Sequence, residues 1–171
     1  MRPPGLPPHR SRRISMPVTI HGVEGLRSKA NTALGATEWE TMTFERIQAF
    51  ADATCDHQWI HVDRERIAKE SPFGAPIAHG YFTLSLVAGR FFDLLELQDM
   101  GMVINYGTNK VRFPNPLKEG ARFRLAIQLG DVTDKKGGWV EAIFNAAIEI
   151  EGEQKPACAA ECVFRFLPAQ G

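Results

Sequence analysis

The sequence predicts an α+β domain in which one long apolar helix is wrapped by a curved antiparallel sheet. Three observations carry that reading. Between Tyr81 and Leu95, the residues Tyr81, Phe82, Leu84, Leu86, Val87, Phe91, Phe92, Leu94 and Leu95 cover nearly every side of a helix, and a helix apolar all round must be enclosed. After it, 102–113, 121–132, 139–151 and 157–167 read as four long strands. Within the second and third of these the apolar residues alternate. Phe123, Leu125, Ile127 and Leu129 are set against Arg122, Arg124, Ala126 and Gln128, and Val140, Ala142, Phe144, Ala146, Ile148 and Ile150 repeat the pattern. Such strands have one buried and one wet face, and a helix followed by an antiparallel meander of them is an α+β layout.

The totals narrow the function classes. A chain of 171 residues makes one domain with a real core. Twenty Lys and Arg balance 20 Asp and Glu, which argues against nucleic-acid binding by bulk basic charge. No stretch approaches the roughly 18 apolar residues of a membrane span, since Arg90 and Asp93 interrupt the best candidate. Cys55, Cys158 and Cys162 have neither disulfide nor zinc spacing. They read as reduced thiols of a cytoplasmic protein.

Taken in order, residues 1–17 are rich in Pro and Arg and are expected to be disordered, with the single domain at 18–168. They lack the apolar core of a secretory signal, and Met16 is a candidate alternative start. Residues 18–33 suggest a short strand and a helical turn, and 35–41 an extended segment. Thr43 then reads as an N-cap with Glu45 in the first turn. Phe44, Ile47, Phe50 and Ala51 give that helix an apolar face running to about Thr54. Asp63 starts a short helix ended by Ser71-Pro72, and Pro76 leads into the long helix near His79. Lys135-Lys136-Gly137-Gly138 supplies a hairpin turn, and Gly152 marks the next.

Chemistry gathers between Phe50 and Leu86. Asp56 and His61 are five positions apart, about 140° around a continuous helix, so they meet only if the chain bends near Cys55-Asp56. Trp59 and Ile60 are expected to pin that bend to the core. A carboxylate and an imidazole sharing one water suit paired acid–base work. Gly80 opens the long helix, where its N–H has no intrahelical acceptor and the helix dipole favours negative charge. Together these groups imply a carbonyl substrate reacting through an enolate-like state. Each also has a plainer meaning. The pair can be a structural hydrogen bond, Gly80 a packing glycine, and His79 a satisfied histidine at the helix start. His57 and His61, at i and i+4 beside Asp63, are metal ligands only on an uninterrupted helix, and no metal is expected.

The residues FADATCDHQWIHVD (50–63), PFGAPIAHGYFTLSL (72–86) and NYGTNKVRFPNPL (105–117) resemble the MaoC-like dehydratases, the (R)-specific enoyl-CoA hydratases, in the branch related to nodulation protein N. The similarity covers about 18–167. It implies a hot-dog fold, a long helix wrapped by a curved sheet, and a homodimer. It implies reversible addition of water to trans-2-enoyl-CoA, giving (R)-3-hydroxyacyl-CoA, with coenzyme A as part of the substrate and no separate cofactor. By resemblance Asp56 and His61 are the catalytic pair, Gly80 gives its N–H to the thioester oxygen, and Gln58 is a polar neighbour where many members have Asn. One departure concerns Cys55, which stands where the family usually has Gly. At φ > 0 a non-glycine there is strained by ~1–3 kcal/mol.

Two other readings share the scaffold, an acyl-CoA thioesterase and a non-catalytic acyl-CoA binder. Lys110 and Arg112 lie on one strand face as candidates for the coenzyme A phosphates, although solvated strand charge is the commoner explanation of such residues.

Overall fold

A computed structural model of the chain describes residues 17–169, so the expectation of a disordered tail concerns residues almost all outside the described ones. The elements are β1 (Val18–His21), α1 (Gly22–Ser28), β2 (Ala33–Ala36), β3 (Glu40–Thr41), α2 (Phe44–Thr54), α3 (Trp59–Val62), α4 (Arg64–Glu70), α5 (Gly80–Leu94), β4 (Leu95–Gln98), β5 (Met100–Arg112), β6 (Arg122–Asp134), β7 (Val140–Ile150) and β8 (Cys158–Pro168). The main sheet is antiparallel throughout, in the order β2-β6-β7-β8-β5 with β3 also on β6. A small parallel pair, β1 with β4, stands apart. The sheet curves around α5 in the hot-dog arrangement.

The meander holds for β6, β7 and β8 only. β5 precedes β6 in sequence yet pairs with β8, at the far edge of the sheet. Alternation sets which side faces the helix. Register places Leu129 opposite Phe144, Phe144 opposite Cys162, and Ala142 opposite Phe164, all buried. Phe91 of α5 enters this layer fully buried, stacked on Phe164 with ring centroids 4.5 Å apart and edge-on to Phe144 at 4.8 Å. Offset and edge-to-face pairs of this kind add to the gain from burial. The β6–β7 turn closes through Lys135 N–H to Trp139 O (2.7 Å), with Gly137 and Gly138 at φ 75° and 77°, a backbone only glycine adopts freely.

The expectation that α5 is enclosed on every side needs correction. Tyr81 is 73% exposed and Phe92 60%, and with the exposed Ser85, Ala88 and Gly89 they form one stripe at helical spacing. The sheet wraps the opposite side, which carries Thr83, Leu86, Val87, Phe91 and Leu94. The periodicity of apolar residues told helix from strand but did not distinguish a side covered by the chain's own sheet from one left open.

Thr43 caps α2 as expected, its side-chain oxygen accepting from Arg46 N–H (3.4 Å). The helix ends in a left-handed residue, Cys55, at φ 59° and ψ 21°. Helices commonly end this way, usually on glycine, and a Cβ in that conformation costs about 1–2 kcal/mol. Replacing Cys55 with Gly is therefore expected to raise the denaturation free energy by about 1 kcal/mol. An unchanged or lower denaturation midpoint in urea would show that the left-handed turn is not strained.

Candidate active site

The bend at Cys55 turns the chain out of α2, and residues 56–58 lead into α3. That short helix buries His61 (6% exposed), whereas Trp59 and Ile60, expected as core anchors, are half-buried. What fixes the bend is hydrogen bonding to the strand-like lead-in of α5. Ile77 N–H donates to Ile60 O (3.3 Å), and His61 Nδ1 donates to Ile77 O (2.7 Å). Because a carbonyl only accepts, Nδ1 carries the proton and Nε2 the lone pair.

Asp56, His61 and His79 come together, each offering one ligand atom with all three atoms within 4.8 Å of one another. One water spans such a gap with two ordinary hydrogen bonds of about 2.8 Å. Asp56 is exposed and His61 buried, so the pair straddles the boundary between solvent and interior. Burial pushes the His61 imidazole below its ordinary value; the bond to Ile77 O opposes this, nearby His79 adds to it, and the Asp56 carboxylate opposes it. The outcome favours an uncharged ring, a base with a free Nε2.

Gly80 is the first residue of α5, so its N–H lacks an intrahelical acceptor. It lines a cavity of about 340 Å³ together with His61, Ile77, Thr83 and Phe113. A Cβ on Gly80 would sit 2.8 Å from Phe113 Cδ2, so the packing role of this glycine is real and stands beside any role of its N–H. Gln58 approaches Asp56 with its backbone N–H (3.4 Å to Oδ1), and its side chain makes no capping bond.

Other sequence candidates fall elsewhere. His57 turns away to Asp52 (2.9 Å), and Asp63 caps α4 by accepting from Arg66 N–H (2.9 Å), so the His57/His61/Asp63 metal set is not assembled. The cluster of Asp56, His61 and His79 is poorly shaped for a metal. The His61 and His79 rings stack 3.7 Å apart at 24°, which sends their in-plane lone pairs alongside one another instead of to a common point. Lys110 and Arg112 border a broad groove on the outer face of the sheet, away from the His61 cavity, and Lys110 is paired with Glu161 (2.7 Å). Burial pushes the Cys158 and Cys162 thiols up to about 11, as for inert core thiols.

Two residues of the site were given no functional role by sequence: His79 was expected to be a satisfied histidine, and Thr83 was not considered. His79 is 2% exposed, donates from Nε2 to the backbone oxygen of Asp56 (2.9 Å), and leaves Nδ1 buried with no partner among the described residues. It is only half satisfied, at a cost of about 1–3 kcal/mol for such an atom. Thr83, 2% exposed, donates to Gly80 O (2.6 Å) and lines the cavity. Its signal was its place one helical turn beyond Gly80; that of His79 was its position directly before it.

Comparison with known proteins places the chain by sequence and by fold. The family pattern described as MaoC like domain matches residues 26–149. The chain is 44% identical over 149 residues to 3-hydroxyacyl-thioester dehydratase Z of Mycobacterium tuberculosis, covering 87% of this chain and 98% of that protein. It is 40% identical over 137 residues to nodulation protein N of Rhizobium leguminosarum bv. viciae, covering 80% and 85%. Unliganded R-hydratase PhaJ1 from Pseudomonas aeruginosa matches in fold, with a TM-score of 0.65 over 87% of this chain and 86% of that one at 17% identity. With its family pattern spanning most of the domain and a relative aligned nearly end to end, this chain belongs to the MaoC-like domain family.

Proposed function

We propose that the protein adds water reversibly to a trans-2-enoyl-CoA, giving the (R)-3-hydroxyacyl-CoA. The coarser part of this reading, a hydro-lyase of the MaoC-like family, is carried by 44% identity to a 3-hydroxyacyl-thioester dehydratase along 98% of its length. The finer part rests on one observation. Asp56 and His61 converge to within the span of a water beside the cavity that Gly80 lines.

In this mechanism Asp56 and His61 hold the water between them. His61 Nε2 takes a proton as the oxygen bonds to C3, and the C2=C3 electron pair moves toward the thioester. Gly80 N–H, at the positive end of α5, meets the enolate oxygen. The imidazolium then returns its proton to C2, so that H and OH of one water are both accounted for. Burial makes that imidazolium a readier acid, and the Asp56 carboxylate steadies it while it lasts. The cavity of about 340 Å³ lies at the small end of the range for ligand sites.

We also propose a homodimer. The open stripe of α5 and the exposed Met102, Ile104 and Tyr106 of the edge strand β5 form apolar surface, and unpaired strand edges are normally covered.

Asp56→Asn and His61→Gln are each expected to lower hydration of a short enoyl-CoA by at least roughly 10²-fold with the fold intact by circular dichroism. Normal turnover in both would sink the mechanism, and release of free CoA without loss of the conjugated enoyl absorbance would indicate a thioesterase instead. The acid limb of kcat/KM should have its midpoint below the ordinary histidine value of about 6.5, because burial lowers the pKa of His61 and the neutral base persists further into acid. Stability follows the same sign. Below about 6.5 the unfolded chain takes up a proton that the folded ring resists, so this histidine erodes stability as pH falls. A midpoint above 6.5 contradicts the assignment of His61 as base. Sedimentation should give a dimer, and Phe92→Lys should shift it toward monomer; a wild-type monomer at micromolar concentration refutes the assembly.

A further inference from the structure

We propose that His79 is a positioning residue of this site, holding Asp56 and His61 in the relation that lets them share one water. The inference rests on the hydratase reading and deepens it by adding the group that aligns the pair.

Three restraints meet in one ring. His79 is the N-cap of α5, so it is bonded directly to Gly80. Its Nε2 donates to the backbone oxygen of Asp56 at 2.9 Å. Its face stacks on His61 at 3.7 Å, while Phe50 packs against it with ring centroids 5.0 Å apart. The two partners need such restraint. Asp56 lies in the short connection between α2 and α3, directly after the left-handed Cys55, with an exposed side chain. Among the described residues His61 has one polar anchor, Nδ1 on Ile77 O, and a ring held at a single atom can still swing about that bond. The His79 face blocks the swing, and its Nε2–H fixes the Asp56 peptide. No residue with a purely apolar ring supplies both. A phenylalanine would fill the slot without burying an unpartnered nitrogen, yet here Nδ1 is buried and unpaired. Packing alone does not account for a histidine at this position.

The experiment compares wild type, His79→Phe, His79→Gln and His79→Asn in hydration of but-2-enoyl-CoA, reading kcat and KM separately, with the thermal midpoint of each variant. Phenylalanine keeps the stack and removes the donor. Glutamine places an amide N–H where Nε2 stands, and asparagine places it where Nδ1 stands, out of reach of the Asp56 carbonyl. His79→Phe is expected to lose roughly 10- to 100-fold in kcat with KM within about threefold, as misplacement of reacting groups does. His79→Gln is expected to recover at least about threefold of that loss over both other variants. A merely structural role predicts the opposite order, with phenylalanine the fastest and most stable variant. Full kcat in His79→Phe, or glutamine no faster than asparagine, overturns the inference; the second comparison decides even if His79→Phe does not fold. With wild type active and Asp56→Asn inactive, those results remove the role of His79 alone. A wild-type chain that hydrates no enoyl-CoA removes the hydratase reading and this inference together.

Discussion

Ile77 holds the site together with both of its backbone groups. Its N–H reaches Ile60 O and its carbonyl receives His61 Nδ1, so the segment leaving α2 and the segment entering α5 are tied at adjacent residues. Without that clamp, the bend after Cys55 would face the start of α5 through the bond from His79 Nε2 to Asp56 O alone among the described hydrogen bonds. With it, His61 sits buried at the mouth of the helix and its tautomer is settled. The same lead-in is secured on its other side by Ala78 N–H to Leu117 O (2.8 Å). The site is thus built from hydrogen bonds onto backbone groups of segments distant in sequence, mounted on a helix that the sheet immobilises through Phe91.

The electrostatics follow from where that clamp leaves each group. Asp56 stays in contact with water, while His61 loses solvent and favours neutrality. A carboxylate and a neutral imidazole a few ångströms apart are a workable acid–base pair because their surroundings differ. The buried, half-satisfied His79 is the price of that arrangement. Native interiors seldom keep an orphan polar atom, and those that persist tend to lie where function sets the geometry.

The scaffold shows a similar division. The helix-facing side of the β6–β7–β8 meander is a closed aromatic and aliphatic layer in which Phe91, Phe144 and Phe164 interlock. The opposite side of α5 has no such cover among the described residues. The charged residues of α5 lie near its C-terminal end, where Arg90 pairs with Glu40 and with Asp93 at 3.2 Å and Arg46 joins through Glu40 at 2.9 Å. The stripe from Tyr81 to Phe92 is therefore open and uncharged, with the Ser85 hydroxyl turned back onto Tyr81 O (2.8 Å), while the charged residues of the helix are mutually engaged.

Sequence by itself determined the long strands, the buried faces of β6 and β7, the Thr43 cap and the central helix, because each depends on periodicity or on neighbours within a few residues. It also put Asp56, His61 and Gly80 forward as one chemical set, from an acid–base pair and an unpaired N–H at a helix start, and the resemblance to a family pattern gave them roles. Only the tertiary structure decided that β5 lies beside β8, that α5 has an open side, and that Trp59 and Ile60 yield the core position to His61. It alone showed His79 bonded to the Asp56 carbonyl and stacked on His61. Residues 56, 61 and 79 come from separate segments, and their convergence depends on hydrogen bonds across 16 and 23 positions. No local pattern along the chain records bonds of that range.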